Sequence, residues 1–160
     1  SRDCSRIAIG SQLNDGIGAD AGHVRAYQWD SSTWEKWGSD INGAQAGDLF
    51  GASVALSYNG SRVVSGGHGN NAGHFRVFQY MYETWDWVQV GSTISGESAG
   101  DEFGISVSIS AAGNHVAIGA PSNAGNGANS GHVRVFEYDS SSWVQLGGDI
   151  DGETAGDESG

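Results

Sequence analysis

The segment GHVRVFEY at residues 131–138 decides the fold, because close copies of it occur twice earlier in the chain. The two copies are GHVRAYQW at 22–29 and GHFRVFQY at 73–80. A second motif recurs with it, as AGDLFG at 46–51, AGDEFG at 99–104 and AGDESG at 155–160. Self-similarity at a fixed spacing is typical of repeat architectures. We therefore divide the chain into three repeat units, residues 1–56, 57–109 and 110–160.

Composition restricts the class of protein around this repeat. The 160 residues include 27 Gly, which suits many tight turns, and a single Cys, which excludes an intrachain disulfide. The formal net charge is −12, so the chain lacks the basic patch that binding to nucleic acid or to an anionic membrane requires. No apolar run approaches the roughly 20 residues of a membrane span. We expect an all-β protein that neither binds nucleic acid nor inserts into a membrane.

Each unit contains short runs in which apolar residues alternate with polar or small ones, the period of a β-strand. The alternation predicts eleven strands, at residues 6–10, 23–29, 34–41, 50–57, 62–66, 74–80, 85–94, 103–110, 115–120, 132–138 and 143–150. Four antiparallel strands in a unit of this length are typical of a β-propeller blade. A two-sheet sandwich is the alternative, although sandwiches seldom repeat their sequence so closely.

The strand at 132–138 indicates how neighbouring blades would pack. His132, Arg134, Phe136 and Tyr138 share one face of it, and the small and β-branched side chains share the other. We expect the large side chains of one blade to pack against the smaller ones of the next.

Two short motifs in the last units carry a resemblance to a known family. Phe103-Gly104 opens one predicted strand, and Gly119-Ala120-Pro121 closes the next. The pattern resembles the FG-GAP repeat, the blade unit of the integrin α-subunit head and of many bacterial and algal surface proteins, including large arrays in marine microbes. The resemblance implies a non-enzymatic propeller scaffold of a secreted or cell-surface protein, which serves adhesion or structural protein–protein interaction.

The number of units bears on how a propeller would close. Propellers typically have four to eight blades, and closure removes exposed sheet edges. We expect residues 1–160 to be a single partial domain, the three-blade portion of a six- or seven-bladed propeller. The rest of the propeller, or a second copy of the chain, would then close the ring, and a measurement of size in solution separates these alternatives.

An acid-rich segment after the last predicted strand is a candidate metal site. In DIDGETAGD at 149–157, the carboxylates of Asp149, Asp151, Glu153 and Asp157 stand at relative positions 0, 2, 4 and 8. This spacing resembles a short calcium loop, so Ca²⁺ is the one candidate cofactor. The alternative is that the aspartate of the AGD motif accepts hydrogen bonds from turn amides or pairs with a repeated arginine.

Three residue types recur at the same place in every unit, which points to a structural role. The arginines are Arg25, Arg76 and Arg134, and the AGD aspartates are Asp48, Asp101 and Asp157. An arginine fork that reaches an aspartate or carbonyl groups at a blade boundary would satisfy buried polar groups. The histidines that precede the arginines are His23, His74 and His132, and we expect them to form structural hydrogen bonds.

One turn breaks the repeat. The segment MYETWDW at 81–87 is longer than its counterparts and carries Tyr82, Trp85 and Trp87. Such aromatic surface would bind a sugar or a partner protein, and packing at the blade edge is the alternative. No nucleophile–base pair interrupts the repeat in this way, so we predict that the chain is not an enzyme. A carbohydrate-binding propeller with Trp85 in its binding surface is the alternative function.

Overall fold

The computed structural model describes residues 1–160, which form fourteen β-strands in three antiparallel sheets. The prediction of an all-β chain is confirmed, and the structure contains no helix able to cross a membrane. The first sheet consists of β1 (Arg6–Ser11), β2 (His23–Trp29), β3 (Trp34–Lys36) and β4 (Ile41–Asn42). The second consists of β5 (Ser53–Leu56), β6 (Arg62–Gly67), β7 (His74–Met81), β8 (Asp86–Gln89) and β9 (Ile94–Ser95). The third consists of β10 (Ser106–Ile109), β11 (His115–Ala120), β12 (His132–Tyr138), β13 (Trp143–Gln145) and β14 (Ile150–Asp151).

The outermost strand of each sheet is divided in two, which corrects the prediction of eleven strands. In the first sheet, β3 and β4 both pair with β2, and residues 37–40 separate them. Gly38 has a φ of 80°, in the left-handed region that residues with a Cβ rarely adopt. The extended strand therefore cannot continue through it. Gly91 and Gly147 adopt the same conformation in the other two sheets. The alternation of side chains in sequence does not reveal this break.

The three sheets stack through two apolar contacts, which we call joint one (first and second sheets) and joint two (second and third sheets). In joint one, Val24 and Ile41 of the first sheet pack against Val63 and Phe78 of the second. In joint two, the buried side chains are Val64, Phe75, Val77, Phe103, Val116, Ile118, Ala120, Phe136 and Trp143. As the sequence predicts, the face that carries Phe136 meets the β-branched side chains of its neighbour, although Phe75 also contributes a large ring.

Glycine pairs allow the sheets to approach at the backbone. Gly66 at the end of β6 lies against Gly104, and a Cβ on Gly66 would overlap the carbonyl oxygen of Gly104. The same relation holds between Gly10 and Gly51 and between Gly119 and Gly160. In addition, the amide of Gly104 donates to the carbonyl of Gly119 in its own sheet, at 3.0 Å. The segments after the first two AGD motifs therefore each bond to their own sheet and pack on the preceding one.

The first and third sheets each expose apolar side chains on their outer face. Ile9 on the first sheet is 49% exposed, whereas the residues at the equivalent positions of the other two sheets, Ser65 and Ile118, are buried. On the opposite end of the stack, Ile150 is 60% exposed, whereas its equivalent Ile41 is buried in joint one. These two faces are the counterparts of the surfaces that meet inside joints one and two.

Candidate functional site in the joint clefts and the aromatic turn

The repeated arginines stand at the middle of β2, β7 and β12, and each has a different partner. In the first sheet, Nε and Nη2 of Arg25 donate to both carboxylate oxygens of Asp40, each at 2.9 Å. This bidentate contact holds the pKa of Asp40 well below its usual range, because the guanidinium stabilises the charged carboxylate. The predicted role of an arginine fork on an aspartate applies to this sheet.

In the third sheet the arginine lies among several acceptors. Nε and Nη2 of Arg134 donate to Oε1 of Gln145 at 2.9 and 2.6 Å. Its guanidinium also lies 3.6 Å from Asp149 and 4.0 Å from Glu97, which belongs to the second sheet. The charge of Arg134 is thus shared between two carboxylates across joint two.

A buried histidine completes a cluster beside Arg134. His132 is 1% exposed, its Nδ1 lies 3.4 Å from Asp149, and neither ring nitrogen has a hydrogen-bond partner. The ligand atoms of Glu97, His132 and Asp149 lie close enough to hold a metal ion. Arg134 offsets only one of the two carboxylate charges, and its guanidinium would lie beside any cation bound there and repel it.

The arginine of the second sheet has no carboxylate partner, unlike those of the first and third sheets. Arg76 is 8% exposed and donates one hydrogen bond, from Nη2 to the carbonyl of Asn42 at 2.7 Å. Its Nε is buried without a partner, and its guanidinium carbon lies 4.0 Å from the centre of the Phe50 ring. No carboxylate forms an ion pair with it, and burial lowers its pKa. Arg76 lines a polar cleft of about 480 Å³ at joint one.

The AGD aspartates cap the turns that lead into the next unit. Asp48 accepts hydrogen bonds from the amides of Ala44 and Gln45, and Asp101 and Asp157 accept from the amides three residues before them. Asp48 also accepts from the Asn70 side chain of the second sheet, at 2.8 Å. The sequence left two roles open for these aspartates, acceptance from turn amides and pairing with an arginine. In the structure they accept from turn amides, and none of them forms an ion pair with an arginine.

None of the three repeated histidines forms the predicted side-chain hydrogen bond within the chain, and two of them are buried without a partner. Nε2 of His74 and both nitrogens of His132 are buried without a partner. Their rings pack between sheets instead: that of His74 stacks on Phe50 with 6.0 Å between ring centres. Burial lowers the pKa of His23 and of His74, which favours the neutral imidazole in both.

The aromatic turn at residues 81–87 separates into an exposed and a packed part. Trp85 is 70% exposed and lies edge-on to Tyr82, with 6.4 Å between ring centres. The hydroxyl of Tyr82 accepts a hydrogen bond from Arg6 of the first sheet. Trp87 points into joint one, where its Nε1 donates to the carbonyl of Trp37 at 2.8 Å. Only Tyr82 and Trp85 of the three predicted residues therefore form an accessible surface.

The four predicted calcium ligands do not form one group. Asp149 contacts Arg134 and His132, whereas Asp157 receives the amide and hydroxyl of Thr154. Asp151 pairs with His132 through the backbone of β14, and the carbonyl of Glu153 accepts from Asn126. Calcium binding at this segment stays a prediction, and the residues that the structure brings together are Glu97, His132 and Asp149.

A comparison with known families identifies the repeat. Residues 87–136 match the model of the FG-GAP repeat. The match contains Phe103-Gly104 and Gly119-Ala120-Pro121, whose glycines are joined by the backbone hydrogen bond in the third sheet. Residues 87–136 form an FG-GAP repeat. The resemblance predicted from these motifs is confirmed, and the other Gly–Gly contacts extend the same arrangement to the flanking units.

Solved structures resemble the whole stack of sheets around the FG-GAP repeat. A functionally unknown protein from Desulfotomaculum acetoxidans DSM 771 matches with a TM-score of 0.60 and 14% identity over 93% of this chain. A protein provisionally assigned as a 6-phosphogluconolactonase from Bacteroides fragilis NCTC 9343 matches with a TM-score of 0.53 and 15% identity over 82%. The chain spans 39% and 33% of the lengths of these proteins, and likeness at such identity concerns the fold alone. No curated protein sequence matches the chain significantly.

Sequence reasoning missed two features of the joints. The approach of Glu97 to Arg134 joins residues of different units, and nothing in their spacing indicates it. The isolation of Arg76 could have been found by aligning the units, because Thr93 replaces the aspartate that the other units place at positions 40 and 149.

Proposed function

We propose that the chain is a non-enzymatic β-propeller scaffold in which the three sheets are blades, and that it works by holding protein surfaces together. The FG-GAP match supports this proposal, because the family is generally non-enzymatic and typical of extracellular and cell-surface proteins. We extend the same proposal to a location outside the cell, with a role in adhesion or in structural protein–protein interaction.

The exposed outer faces are the observation that carries the proposal. The face with Ile9 repeats the surface that the second and third sheets bury, and the face with Ile150 repeats the surface that the first and second sheets bury. Each face is therefore complementary to the other, and a second sheet of the same repeat fits on either. Exposed apolar side chains that the repeat buries elsewhere indicate an interaction site. The Ile9 face also carries Arg25 and Asp40, so a partner there would meet both apolar and charged side chains.

We expect the 160-residue chain to associate head to tail, with the Ile9 face of one copy on the Ile150 face of the other. Two such contacts related by a two-fold axis would close a ring. Analytical ultracentrifugation at micromolar concentration should give twice the mass of one chain. Ile150→Asp should give the mass of one chain, because an unpaired carboxylate would be buried in the contact.

The control, Leu13→Asp, changes an exposed loop residue outside both faces. A single-chain mass for the unsubstituted protein would overturn this assembly.

A carbohydrate-binding role is the second candidate, favoured by the exposed pair of Tyr82 and Trp85. A sugar ring stacks on an accessible aromatic face, and Trp85 is the most exposed large apolar side chain of the chain. On a glycan array, the unsubstituted protein should bind at least one class of neutral glycan, and Trp85→Ala should lose about tenfold in affinity or more. Tyr58→Ala, which removes an exposed aromatic ring elsewhere, should bind normally. Equal binding by both variants would exclude the aromatic turn.

A further inference from the structure

The polar cleft at joint one contains a buried positive charge that the repeat pairs with carboxylates elsewhere. Asp40 neutralises Arg25, and Asp149 with Glu97 neutralises Arg134. The residues at the two equivalent positions around Arg76 are Thr93 and Ala44. Joint one therefore lacks both of the carboxylates that lie beside Arg134 in joint two.

Arg76 keeps one uncommitted donor that is not fully buried. Nη1 donates to no protein acceptor, whereas Nη2 donates to the carbonyl of Asn42 and Nε is buried without a partner. The hydroxyl groups of Thr93 and Ser95 also line the cleft and donate to no protein acceptor. A guanidinium fork beside hydroxyl donors is the arrangement that binds a carboxylate through charge-assisted hydrogen bonds.

The nearest acid, Asp48, does not take the place of the missing partners. Its two oxygens accept from the amides of Ala44 and Gln45 and from the side chain of Asn70. Asp48 and Arg76 form no ion pair within 4.0 Å. Burial lowers the pKa of Arg76, and the negative charge of Asp48 partly opposes this shift. An additional carboxylate would therefore meet an Arg76 that has no carboxylate partner, in a cleft that Asp48 also lines.

We propose that the cleft between the first and second sheets binds the carboxylate of a small ligand through Arg76, Thr93 and Ser95. The volume of about 480 Å³ suits a group of the size of a uronic acid or an acidic amino acid, since ligand sites commonly enclose about 300–1,000 Å³. The site lies within one copy of the chain, so it does not depend on the assembly or the function proposed above. The net charge of −12 repels anions at long range, which makes binding depend on the local contacts.

The test follows the Nε–H resonance of Arg76 by nitrogen-15 NMR at constant ionic strength. The protein is titrated separately with sodium glutamate, sodium D-glucuronate, D-glucose and sodium chloride. A saturable shift with either carboxylate, and none with glucose or chloride, is the expected result. A response to glucuronate alone assigns the site to acidic sugars, and a response to glutamate alone assigns it to acidic amino acids. No shift with either carboxylate, or an equal shift with chloride, overturns the proposal.

A substitution taken from the neighbouring sheets sharpens the test. Thr93→Asp places in the cleft the carboxylate that the first and third sheets already contain, so it should occupy Arg76 from within the protein. We expect its affinity for the added carboxylate to fall at least about tenfold, because like charges repel at close range. Thr93→Asn removes the same hydroxyl but adds no charge, so it should lose much less affinity than Thr93→Asp does. Normal binding by a folded Thr93→Asp variant contradicts the assignment. If this variant fails to fold, the titration of the unsubstituted protein still decides.

Discussion

Phe103→Ala is expected to lower the free energy of unfolding by about 3–5 kcal/mol, the range for removing a fully buried aromatic ring. The side chain of Phe103 is completely buried in joint two, where its ring lies 6.1 Å from that of Phe75 and 6.3 Å from that of Phe136. Its ring also lies 5.4 Å from the guanidinium carbon of Arg134. The substitution would leave a cavity between two sheets that each hold their own backbone hydrogen bonds, so neither sheet can easily move to fill it.

Urea unfolding followed by tryptophan fluorescence measures this loss. The control is Leu13→Ala, which truncates a side chain that is 65% exposed and should change the free energy by less than about 0.5 kcal/mol. A loss below about 1 kcal/mol for Phe103→Ala would mean that joint two contributes little to the stability of the stack.

Gly66→Ala is the second change with a large expected effect, although it adds only a methyl group. Gly66 has an ordinary strand conformation, so its φ imposes no penalty on alanine. The new Cβ would overlap the backbone carbonyl of Gly104, which cannot rotate away as a side chain could. We expect a loss of about 1–3 kcal/mol or more from this steric conflict.

The matched control for this change is Gly148→Ala, in the bend between β13 and β14. A Cβ at Gly148 meets nothing within 4 Å, and its φ is outside the left-handed region. We expect this variant to be as stable as the unsubstituted protein or slightly more so, because alanine restricts the unfolded chain. Equal melting temperatures for the two variants would show that the sheets separate readily at the glycine contact.

The strands could be predicted from sequence because each sheet has two distinct faces. The period of two assigned β2, β11 and β12 with their correct limits, since apolar residues alternate with polar or small ones along most of their length. The division of the outer strand could not be predicted in the same way. Residues 34–41 continue the apolar alternation up to Ile41, and the break depends on the backbone conformation of Gly38.

The candidate site was less accessible to sequence reasoning, because its contacts cross between repeat units. The repeated arginines were recognised as structural, but their partners differ: a carboxylate for Arg25, an amide with two acids for Arg134, and a carbonyl for Arg76. Strand periodicity places the three arginines on the same face of their sheets. It does not predict which groups of the neighbouring sheet they contact. The shared pattern of the units does not predict these partners. A position at which the units differ, such as Thr93, does indicate them.

The two apolar joints also bear on how cooperatively the protein unfolds. Each sheet keeps its own hydrogen-bond ladder, and it gains further stability only from the sheets directly beside it, as in a linear array with nearest-neighbour coupling. The second sheet takes part in both joints, whereas the first and third each take part in one. Opening the second sheet breaks both couplings at once, but opening either outer sheet breaks a single one. The amides of β6 and β7 therefore belong to the last part of the molecule to exchange with solvent, and the outer sheets can open without it.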